Sequence, residues 1–572
     1  MTAEVVRWTG GPGAGKTQHL LDDVRREVEA CNRTLGDLCM MSFSRAAAAD
    51  LAARLAEAVF PDEDRKDILA RCATIDAIAL RACRAEGLID STPDQIIVPG
   101  TKRATPVYQE FMQANKIPYS PNARITDDGD PIARAKLPAG NQILEIGAYL
   151  NATMQPPEAW QYAATALGLP FFGAAWGITD LLRAWQEYKE RKGVFEHTDY
   201  VRLALDAKVA PPAPVLFIDE YQDVSPLQDA LIRQWIEGVD RVYVAGDPDQ
   251  AIYGFRGCSP DLFLSLPAID QGALAGTRPV SHRCPIRGMA TAETLLGHPA
   301  NVAPAPRPGI SQRCVFPDHE FLARQVEEAV RAYPDTVTPV YVLCRFRRHV
   351  SKIARDLSFA GIPCTGIREV GGGPWGLVYV GRHEKHLERD RVNVWSLVCA
   401  LRRWHGNTPP PAPIDLIPYA EAEALITAAA PSPRRSHAIT ALRTKAKRGP
   451  IRVGDVTEWV ETPDDKIRIG DLNLRPAVVD QIRNCLARER RRGTVIHPQA
   501  VRVDTIHAAK GLEAPCVLLH TGYLRGMIES LKDPARVAEE RRVFFVGATR
   551  ASKALLCFDY IPPVWPGFGR PV

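Results

Sequence analysis

The sequence predicts an α/β protein with a parallel sheet, and three observations carry this prediction. First, the glycine-rich stretch GGPGAGKT at 10–17 follows a short strand-like segment and precedes a helical pattern of apolar residues. Second, a strand at 39–43 is followed by a helical pattern at 45–59, which repeats the same alternation. Third, the continuous apolar run at 215–218 is typical of a strand that is buried on both faces.

The stretch at 10–17 fits the phosphate-binding pattern G-x-x-x-x-G-K-[ST] completely. A glycine-rich turn between a strand and a helix points backbone N–H groups and the positive end of the helix dipole at phosphates. We expect Lys16 to reach the β- and γ-phosphates of a nucleotide and the Thr17 hydroxyl to hold Mg²⁺. The alternative is a chance glycine turn. The residues expected to bind the nucleotide here are Gly10, Gly11, Pro12, Gly13, Ala14, Gly15, Lys16 and Thr17.

Composition limits the classes of protein. A chain of 572 residues is long enough for about three to four domains. The net charge of +4 is weak support for a polyanionic partner, so local basic clusters would have to make that case. The 13 cysteines form no C-x-x-C pair, which argues against a disulfide scaffold and a clustered zinc or iron–sulfur site. With no apolar stretch of about 18 residues and a strand close to the first residue, we expect neither a membrane span nor a signal peptide, and a cytoplasmic protein.

The middle of the first half departs from the α/β pattern. Residues 68–85 have a helical pattern, and 86–200 continue with helical periodicity and frequent aromatic residues but without clear parallel strands. Lys16 and Asp219 are separated by many more residues than a plain nucleotide-binding fold needs. We therefore expect residues 86–200 to be an inserted helical subdomain.

Acidic and amide side chains follow two of the predicted strands. Asp219 ends the buried run at 215–218, where a carboxylate is placed to bind Mg²⁺ through water, and Glu220 can orient or deprotonate the attacking water. The alternative is a solvated acidic pair. The strand at 242–245 leads to Gln250, whose carboxamide can accept from water and donate to a γ-phosphate at once.

Several stretches together resemble a known family. FIDEYQDVSPLQ (217–228) and VAGDPDQAIYGFRG (244–257) resemble motifs II and III of the UvrD/Rep/PcrA helicases of superfamily 1. The other motifs follow in family order, and together the motifs span nearly the whole chain. They are MSFSRAAAADLAARL (41–55, motif Ia), ATIDAIA (73–79, Ib), VSHR (280–283, IV), VRVDTIHAAKGLE (501–513, V) and EERRVFFVGATRA (539–551, VI).

The resemblance implies two RecA-like parallel-sheet P-loop domains, each with an inserted and mainly helical subdomain. Apolar runs at 340–343, 501–503, 516–519 and 555–558 supply strands for the second sheet. We expect four regions, the last of them entered through a proline-rich connector at 408–413. They are 1–85 with 201–275 as the first RecA-like domain, 86–200 as its insertion, 276–385 with 499–572 as the second domain, and 386–498 as the second insertion.

The resemblance also implies roles at the nucleotide. Asp219 would bind Mg²⁺ together with Thr17, Glu220 would be the catalytic base, and Gln250 would sense the γ-phosphate. Arg283 and Arg550 would reach the γ-phosphate from the second domain, so that hydrolysis requires closure of the cleft between the domains. The alternative for each arginine is a surface salt bridge. Glu513 would contact the ribose.

On the DNA side, Phe43, Tyr253 and Phe255 stand where the family stacks bases, and core packing is the alternative for each. Phe255 takes the place of a tryptophan that is usual in relatives. His507 would link the DNA groove to the ATP site, with a core histidine as an equal alternative.

This sequence departs from the family at several positions. His282 takes the place of the tyrosine that usually stacks on adenine, and the upstream adenine-recognising glutamine segment is not seen before Gly10. We therefore expect either the use of another purine nucleotide or looser selection of the base. Arg45-Ala46 replaces the usual Asn-Lys pair, and Asp76 replaces a histidine. Basic clusters at 434–435, 443–448 and 488–492 are expected either to hold duplex phosphates or to form a solvated helix face.

These features predict an ATP-dependent DNA helicase that uses ATP and Mg²⁺, translocates 3′ to 5′ on single-stranded DNA and unwinds duplex at forks. The polarity comes from the resemblance alone. One alternative is a translocase that displaces proteins without productive unwinding. Another is a nucleotide-gated DNA-binding module, against which the intact Glu220 and both arginines argue. The sequence does not separate repair, replication and conjugation.

Overall fold

The structure is a computed structural model, and it describes residues 3–90, 92, 95–123, 130–169, 177–335, 337–367, 375–381, 390–404, 416–430, 432–457, 459–460 and 468–568. The chain divides into two compact units. Unit 1 comprises Met1–Ile310 and Tyr523–Arg550, and unit 2 comprises Ser311–Gly522 and Ala551–Val572. The four-region division drawn from the sequence stays a prediction. Its boundary at 386 and its connector at 408–413 lie outside the described residues.

Unit 1 is built on a six-stranded sheet in which every pairing is parallel, in the order β3-β2-β4-β5-β1-β6. All five residues of the central strand β4 are buried, as its continuous apolar run predicts. Because the strands are parallel, the carboxyl ends of β1, β4 and β5 meet at one edge of the sheet. The strands are β1 (Glu4–Thr9), β2 (Leu38–Ser42), β3 (Cys72–Thr74), β4 (Val215–Asp219), β5 (Arg241–Gly246) and β6 (Ile269–Gly272).

Helices and one small two-stranded parallel sheet, β7 with β8, complete unit 1. The helical interpretation of residues 68–85 is wrong near its start, because Cys72–Thr74 pairs with β2 as the edge strand β3 and interrupts the helices. The elements are α1 (Lys16–Cys31), α2 (Arg45–Ala58), α3 (Arg65–Arg71), α4 (Ile75–Ala85), α5 (Thr105–Ala114), α6 (Pro131–Ala135), α7 (Ala139–Ala152), α8 (Trp160–Ala166), α9 (Ile178–Lys192), α10 (His197–Asp206), α11 (Pro226–Ile236), α12 (Pro260–Leu264), β7 (Val280–Pro285), α13 (Ile286–Leu296), β8 (Ala303–Ala305), α21 (Arg525–Ile528) and α22 (Pro534–Ala548).

The helices between residues 86 and 200 have a hydrophobic core of their own. Phe111, Ile146, Trp185 and Tyr188 belong to this core, which accounts for the frequent aromatic residues in the sequence. Trp185 stacks on Tyr188 with ring centroids 5.7 Å apart. These helices thus share a core, while their status as an inserted subdomain stays a prediction.

A buried ion triad ties α9 to the start of α10. The Lys189 ammonium is 1% exposed and donates to Glu196 at 2.8 Å and to Asp199 at 2.6 Å. Lys189→Met would leave two buried carboxylates without their cation, and we expect it to lower the free energy of unfolding by about 3–5 kcal/mol. Urea denaturation followed by tryptophan fluorescence measures this change. Lys192→Met is the matched control on the same helix, because Lys192 pairs with Glu110 in solvent; equal effects in both variants would contradict the prediction.

Unit 2 is built on a five-stranded sheet in the order β13-β10-β14-β15-β9. The pairings of β10 with β13, of β10 with β14 and of β14 with β15 are parallel. Two parallel sheets of five to six strands confirm the predicted fold class. The strands are β9 (Ile310–Val315), β10 (Val340–Cys344), β13 (Val501–Thr505), β14 (Ala514–His520) and β15 (Ala551–Asp559), and an antiparallel pair is formed by β11 (Leu377–Tyr379) and β12 (Arg391–Asn393).

The helices of unit 2 fall into two groups. The sheet packs with α14 and α15, and its core includes Val326, Val342 and Leu518. A second core, which includes Leu397, Leu425 and Ile482, holds the remaining helices together. Among the described residues no helix is both long and apolar enough to cross a bilayer. The helices are α14 (His319–Ala332), α15 (Arg347–Phe359), α16 (Val394–Trp404), α17 (Tyr419–Ala429), α18 (Ser432–Ala446), α19 (Val453–Thr457) and α20 (Pro476–Arg492).

Unit 2 contains a buried histidine that makes its stability dependent on pH. His520 is fully buried, its ring lies 4.9 Å from that of His349, and its Nε2 accepts from the Ile561 N–H at 3.2 Å. Burial, and then the neighbouring His349, lower the pKa of His520 well below its usual value. The unfolded chain therefore binds more protons, so the stabilisation is complete above about pH 6.5 and falls below it, by up to about 1.4 kcal/mol per pH unit.

We expect His520→Gln to flatten the decline in unfolding free energy between about pH 7 and pH 5. Urea denaturation across this pH range measures it. The exposed His437 supplies the control variant, His437→Gln. A pH dependence in His520→Gln that matches the unchanged protein would rule out His520 as its source.

Candidate nucleotide site and aromatic cluster

The phosphate loop runs from β1 into α1 and is shaped by its glycines. Gly15 precedes α1 with φ 80°, a left-handed conformation in which glycine carries no penalty. Gly13 has φ 72°, and a Cβ there would lie 2.8 Å from the Cβ of Arg283 and from the Ser281 Oγ. The Lys16 ammonium donates to the Gly11 carbonyl at 3.5 Å. The loop thus leaves room only for backbone at its tip, where phosphate-binding loops present their N–H groups.

A hydroxyl and a carboxylate meet beside this loop. The Thr17 Oγ1 donates to the Asp219 Oδ2 at 2.8 Å, and the Glu220 N–H donates to the Asp219 Oδ1 at 2.9 Å. Burial, and then the charge of Glu220, raise the pKa of Asp219 to about 6, while Lys16 opposes this shift. Two adjacent hard oxygens in a site that penalises unbalanced negative charge fit Mg²⁺, so Thr17 and Asp219 are the residues able to hold it.

Glu220 has a backbone conformation that is rare for its residue type. Its φ is 59°, in the left-handed region, where a residue with a side chain pays about 1–2 kcal/mol. Such conformations cluster at functional sites. The Glu220 carboxylate accepts a hydrogen bond from the Gln222 side-chain amide. The chain therefore leaves β4 through a left-handed residue, and the two carboxylates have different partners, Thr17 for Asp219 and Gln222 for Glu220.

Gln250 and Arg550 are joined directly. The Gln250 Nε2 donates to the Asp247 Oδ2 at 2.7 Å, and the Arg550 guanidinium donates to the Gln250 Oε1 at 3.1 Å. Arg550 follows α22 and is 1% exposed, with its Nε donating to the Val546 carbonyl at 2.9 Å. The alternative of a surface salt bridge is therefore wrong for Arg550. The carboxamide and the guanidinium are held as one assembly.

The strand β7 crosses the tip of the phosphate loop. The His282 N–H donates to the Gly13 carbonyl at 2.9 Å, and the Ser281 Oγ donates to the Pro12 carbonyl at 2.8 Å. Arg283 is half-buried against Gly13, and the His282 ring is exposed. Both arginines expected from a second domain thus belong to unit 1, the same compact unit as the loop. Their presentation by a second RecA-like domain stays a prediction.

Three rings and one cation form what we term the aromatic cluster: Phe43, Tyr253, Phe255 and Arg256. Phe43 stacks on Tyr253 with centroids 4.9 Å apart, and Tyr253 meets Phe255 edge-on at 5.9 Å. The Arg256 guanidinium lies 5.5 to 5.6 Å from all three ring centroids. Phe43, Phe255 and Arg256 also line a cavity of about 450 Å³. Tyr253 is 7% exposed, as its core-packing alternative expects, whereas Phe43 and Phe255 are half-buried and Arg256 is exposed. A partly exposed ring beside a cation is suited to stacking on a base of single-stranded nucleic acid.

Two predicted site residues belong to unit 2. His507 and Glu513 lie between β13 and β14 in unit 2, where His507 is 3% exposed and Glu513 is exposed. Their predicted roles at the DNA groove and at the ribose stay predictions.

Sequence reasoning missed three residues of the site. Gln222 accepts from the Asp247 N–H at 2.9 Å, Arg256 joins the rings, and Asn301 contacts both Asp247 and the phosphate loop. A signal existed for Arg256, which directly follows Phe255, and for Gln222, which lies two residues after Glu220. The position of Asn301 gives no such signal, because no motif surrounds it.

The parallel sheet, the complete phosphate loop and the Thr17–Asp219 pair define a nucleotide-binding protein of the P-loop class. Two family models match this chain. The UvrD/REP helicase N-terminal domain matches residues 178–268, and the UvrD-like helicase C-terminal domain matches residues 457–560. Over these two regions the chain is similar to the UvrD/Rep/PcrA helicases of superfamily 1.

Curated relatives agree with this placement. The chain is 27% identical to ATP-dependent DNA helicase UvrD2 of Mycobacterium tuberculosis (strain ATCC 25618 / H37Rv) over 358 residues, which cover 58% of this chain and 45% of that protein. It is 24% identical to ATP-dependent DNA helicase PcrA of Leuconostoc citreum over 283 residues, 46% of this chain and 34% of that protein. The chain thus spans less than half the length of these curated relatives.

Proposed function

We propose that this chain is an ATP-dependent DNA helicase that translocates 3′ to 5′ on single-stranded DNA and unwinds duplex. One observation carries the proposal. The segment from Asp247 to Arg256 contacts the Arg550 guanidinium through Gln250 and supplies Tyr253, Phe255 and Arg256 to the aromatic cluster, which Phe43 completes. A single short segment therefore belongs both to the nucleotide site and to a surface suited to stacked bases. The names of the relatives support the same activity, and the polarity follows the resemblance.

The chemistry proposed for unit 1 is transfer of the γ-phosphoryl group of ATP to water. Lys16 and the N–H groups of the phosphate loop would hold the phosphates, and Glu220 would orient and deprotonate the attacking water. Gln250 would contact the γ-phosphate, and Arg283 and Arg550 would stabilise the charge that spreads over its oxygens. Thr17 and Asp219 would hold Mg²⁺, which neutralises phosphate charge when bound. The exposed His282 ring would give only loose selection of the base.

Loss of the γ-phosphate would be transmitted along the segment that holds Gln250. Because Tyr253 and Phe255 follow Gln250 within five residues, a shift of Gln250 would change the spacing of the stacking platform. Such changes would recur with each cycle of ATP hydrolysis. If the two proposed RecA-like domains bind single-stranded DNA in alternation, each cycle would move the DNA strand forward along the protein. The four-region domain division is part of this proposal.

The proposal is tested by ATP turnover and strand separation on duplexes with a 3′ tail, a 5′ tail or no tail. We expect turnover to require single-stranded DNA and separation to require the 3′ tail. Stimulated turnover without separation on any tailed duplex would favour the translocase, which a protein-displacement assay would then detect. If no ATP turnover is detected with excess single-stranded DNA, the proposed enzymatic activity is refuted and the nucleotide-gated DNA-binding module is favoured.

The aromatic cluster makes its own prediction. Phe255→Ala removes a stacking face, and we expect it to weaken single-stranded DNA binding by about 1–3 kcal/mol without changing turnover in the absence of DNA. Fluorescence anisotropy with a labelled oligothymidine measures the affinity. Phe359→Ala, at an exposed phenylalanine of unit 2, is the control and should bind as the unchanged protein does. Equal affinities in both variants would remove Phe255 from the DNA site.

A further inference from the structure

Asn301, in the turn between α13 and β8, contacts two parts of the nucleotide site at once. Its backbone carbonyl accepts from the Gly11 N–H of the phosphate loop at 2.9 Å. Its side-chain amide donates to the Asp247 Oδ1 at 3.2 Å and to the Asp249 Oδ2 at 2.9 Å. One residue thus bonds both to the loop that would hold the phosphates and to the turn that carries Gln250.

Asp247 is the point through which this contact reaches the proposed catalytic groups. It is fully buried, and its Oδ2 accepts from Gln250 while its N–H donates to Gln222. Gln250 in turn accepts from Arg550, and Gln222 donates to Glu220. The Gln250 branch is bonded to the Asp247 carboxylate, so a rotation of that carboxylate would displace Gln250, whereas the Gln222 branch is bonded to the Asp247 backbone.

The Asn301 amide also separates two carboxylates that repel each other. Burial, and then the charge of Asp247, raise the pKa of Asp249 to about 7. The Asp249 Oδ1 also lies 3.4 Å from the His298 Nε2. The charges of His298 and Arg542 act against the rise in the pKa of Asp249. A neutral amide with two N–H groups can donate to both carboxylates, which neither a carboxylate nor an apolar side chain can do.

The backbone around Asn301 has no room to adjust. A Cβ on Gly11 would lie 2.6 Å from the Val302 Cγ1, so the loop and the turn are in direct contact. Val302 is fully buried. The backbone of this turn is therefore packed against the phosphate loop, which places the Asn301 side chain beside Asp247 and Asp249.

We propose that Asn301 is a positioning residue that couples the phosphate loop to Gln250 and Arg550 through Asp247. This inference rests on the proposed function, because the coupling matters only if Gln250 senses a γ-phosphate. The residue contacts no reacting atom. Its part is to hold the sensor at a fixed position relative to the loop, so that ATP and ADP are distinguished.

The test compares the unchanged protein with N301A, N301D, the double variant N301D/D249N and T294A. Thr294 lies on the exposed face of α13 and bonds only to its own helix at Ala290, so T294A is the matched control. We expect N301A to lower the DNA-stimulated kcat at least about tenfold while KM for ATP changes less than about threefold, since the backbone contact with Gly11 remains. Unfolding temperatures show whether each variant is folded.

We expect the isosteric variant N301D to have a lower DNA-stimulated kcat than N301A, because it places a third carboxylate beside Asp247 and Asp249. If Asn301 merely filled space, N301D would match the unchanged protein. In the double variant, the amide introduced at position 249 can donate to the carboxylate introduced at position 301. We therefore expect the kcat of N301D/D249N to be at least about fivefold higher than that of N301D.

Calorimetric titration with a non-hydrolysable ATP analogue and with ADP gives a readout that needs no turnover. We expect the preference for the ATP analogue over ADP to fall at least about fivefold in N301A and to stay unchanged in T294A. If the unchanged protein lacks ATPase activity, the proposed function fails while this ratio still tests Asn301. Unchanged kcat and an unchanged ratio in both N301A and N301D would overturn the inference, and an unchanged ratio alone would do so where turnover is absent.

Discussion

Lys16→Ala is expected to lower DNA-stimulated ATP turnover by about 10²- to 10³-fold and to leave nucleotide-free binding of single-stranded DNA nearly unchanged. The ammonium lies at the tip of the phosphate loop, where it donates to the Gly11 carbonyl. A cation there stabilises charge that develops on the transferred phosphoryl group, and alanine cannot replace it. Steady-state turnover and anisotropy with a labelled oligonucleotide measure the two effects.

The same substitution should change the pH dependence of the residual turnover. Burial and Glu220 raise the pKa of Asp219 to about 6, and the charge of Lys16 acts against them. Without Lys16 the pKa of Asp219 rises further, so a larger fraction of this carboxyl is protonated near neutral pH. The carboxylate form is the one that binds a cation. Residual turnover should therefore rise with pH over a range that lies above the corresponding range of the unchanged protein.

The exposed Gln18, two residues further along α1, supplies the control. Gln18→Ala should keep the turnover, the pH profile and the DNA affinity of the unchanged protein. Full turnover in Lys16→Ala would show that the loop does not hold the nucleotide in a productive state.

The sequence predicted those parts of the site that follow from strand ends. A continuous apolar run predicted β4, and the parallel order of β2, β4 and β5 brings Asp219 and Asp247 to the same edge of the sheet. Thr17 and Asp219 are distant in the sequence and yet hydrogen-bonded, as the phosphate-loop pattern implies. These outcomes depend on local pattern and sheet geometry, which a single sequence contains.

The remaining parts depend on contacts that no local pattern encodes. The edge strand β3 was hidden inside a helical pattern, because three residues are too few to show a period of two. The left-handed backbone of Glu220 is imposed by its surroundings, not by its residue type. Asn301 reaches the phosphate loop from a turn with ordinary composition. Such features need the three-dimensional arrangement before they can be recognised.

Arg550→Ala is expected to have the largest effect on turnover, about 10³- to 10⁵-fold, because an arginine that stabilises the transferred γ-phosphoryl group contributes a factor of this size. The structure adds a second reason. Arg550 is 1% exposed and donates to the Gln250 Oε1, so its removal also leaves a buried amide oxygen without this donor. Arg550→Lys keeps the charge but loses the planar fork of donors, and we expect it to recover little of the loss.

Stability must be separated from catalysis in this test. Arg550 also donates to the Val546 carbonyl at the end of α22, so alanine should lower the unfolding temperature as well as turnover. Arg287→Ala, at an exposed arginine of α13, controls for the loss of one positive charge from unit 1. The decisive readout is turnover per folded molecule, with ATP affinity measured beside it. A folded Arg550→Ala protein that retains at least about a tenth of its turnover would show that Arg550 holds Gln250 in place without stabilising the transferred phosphoryl group.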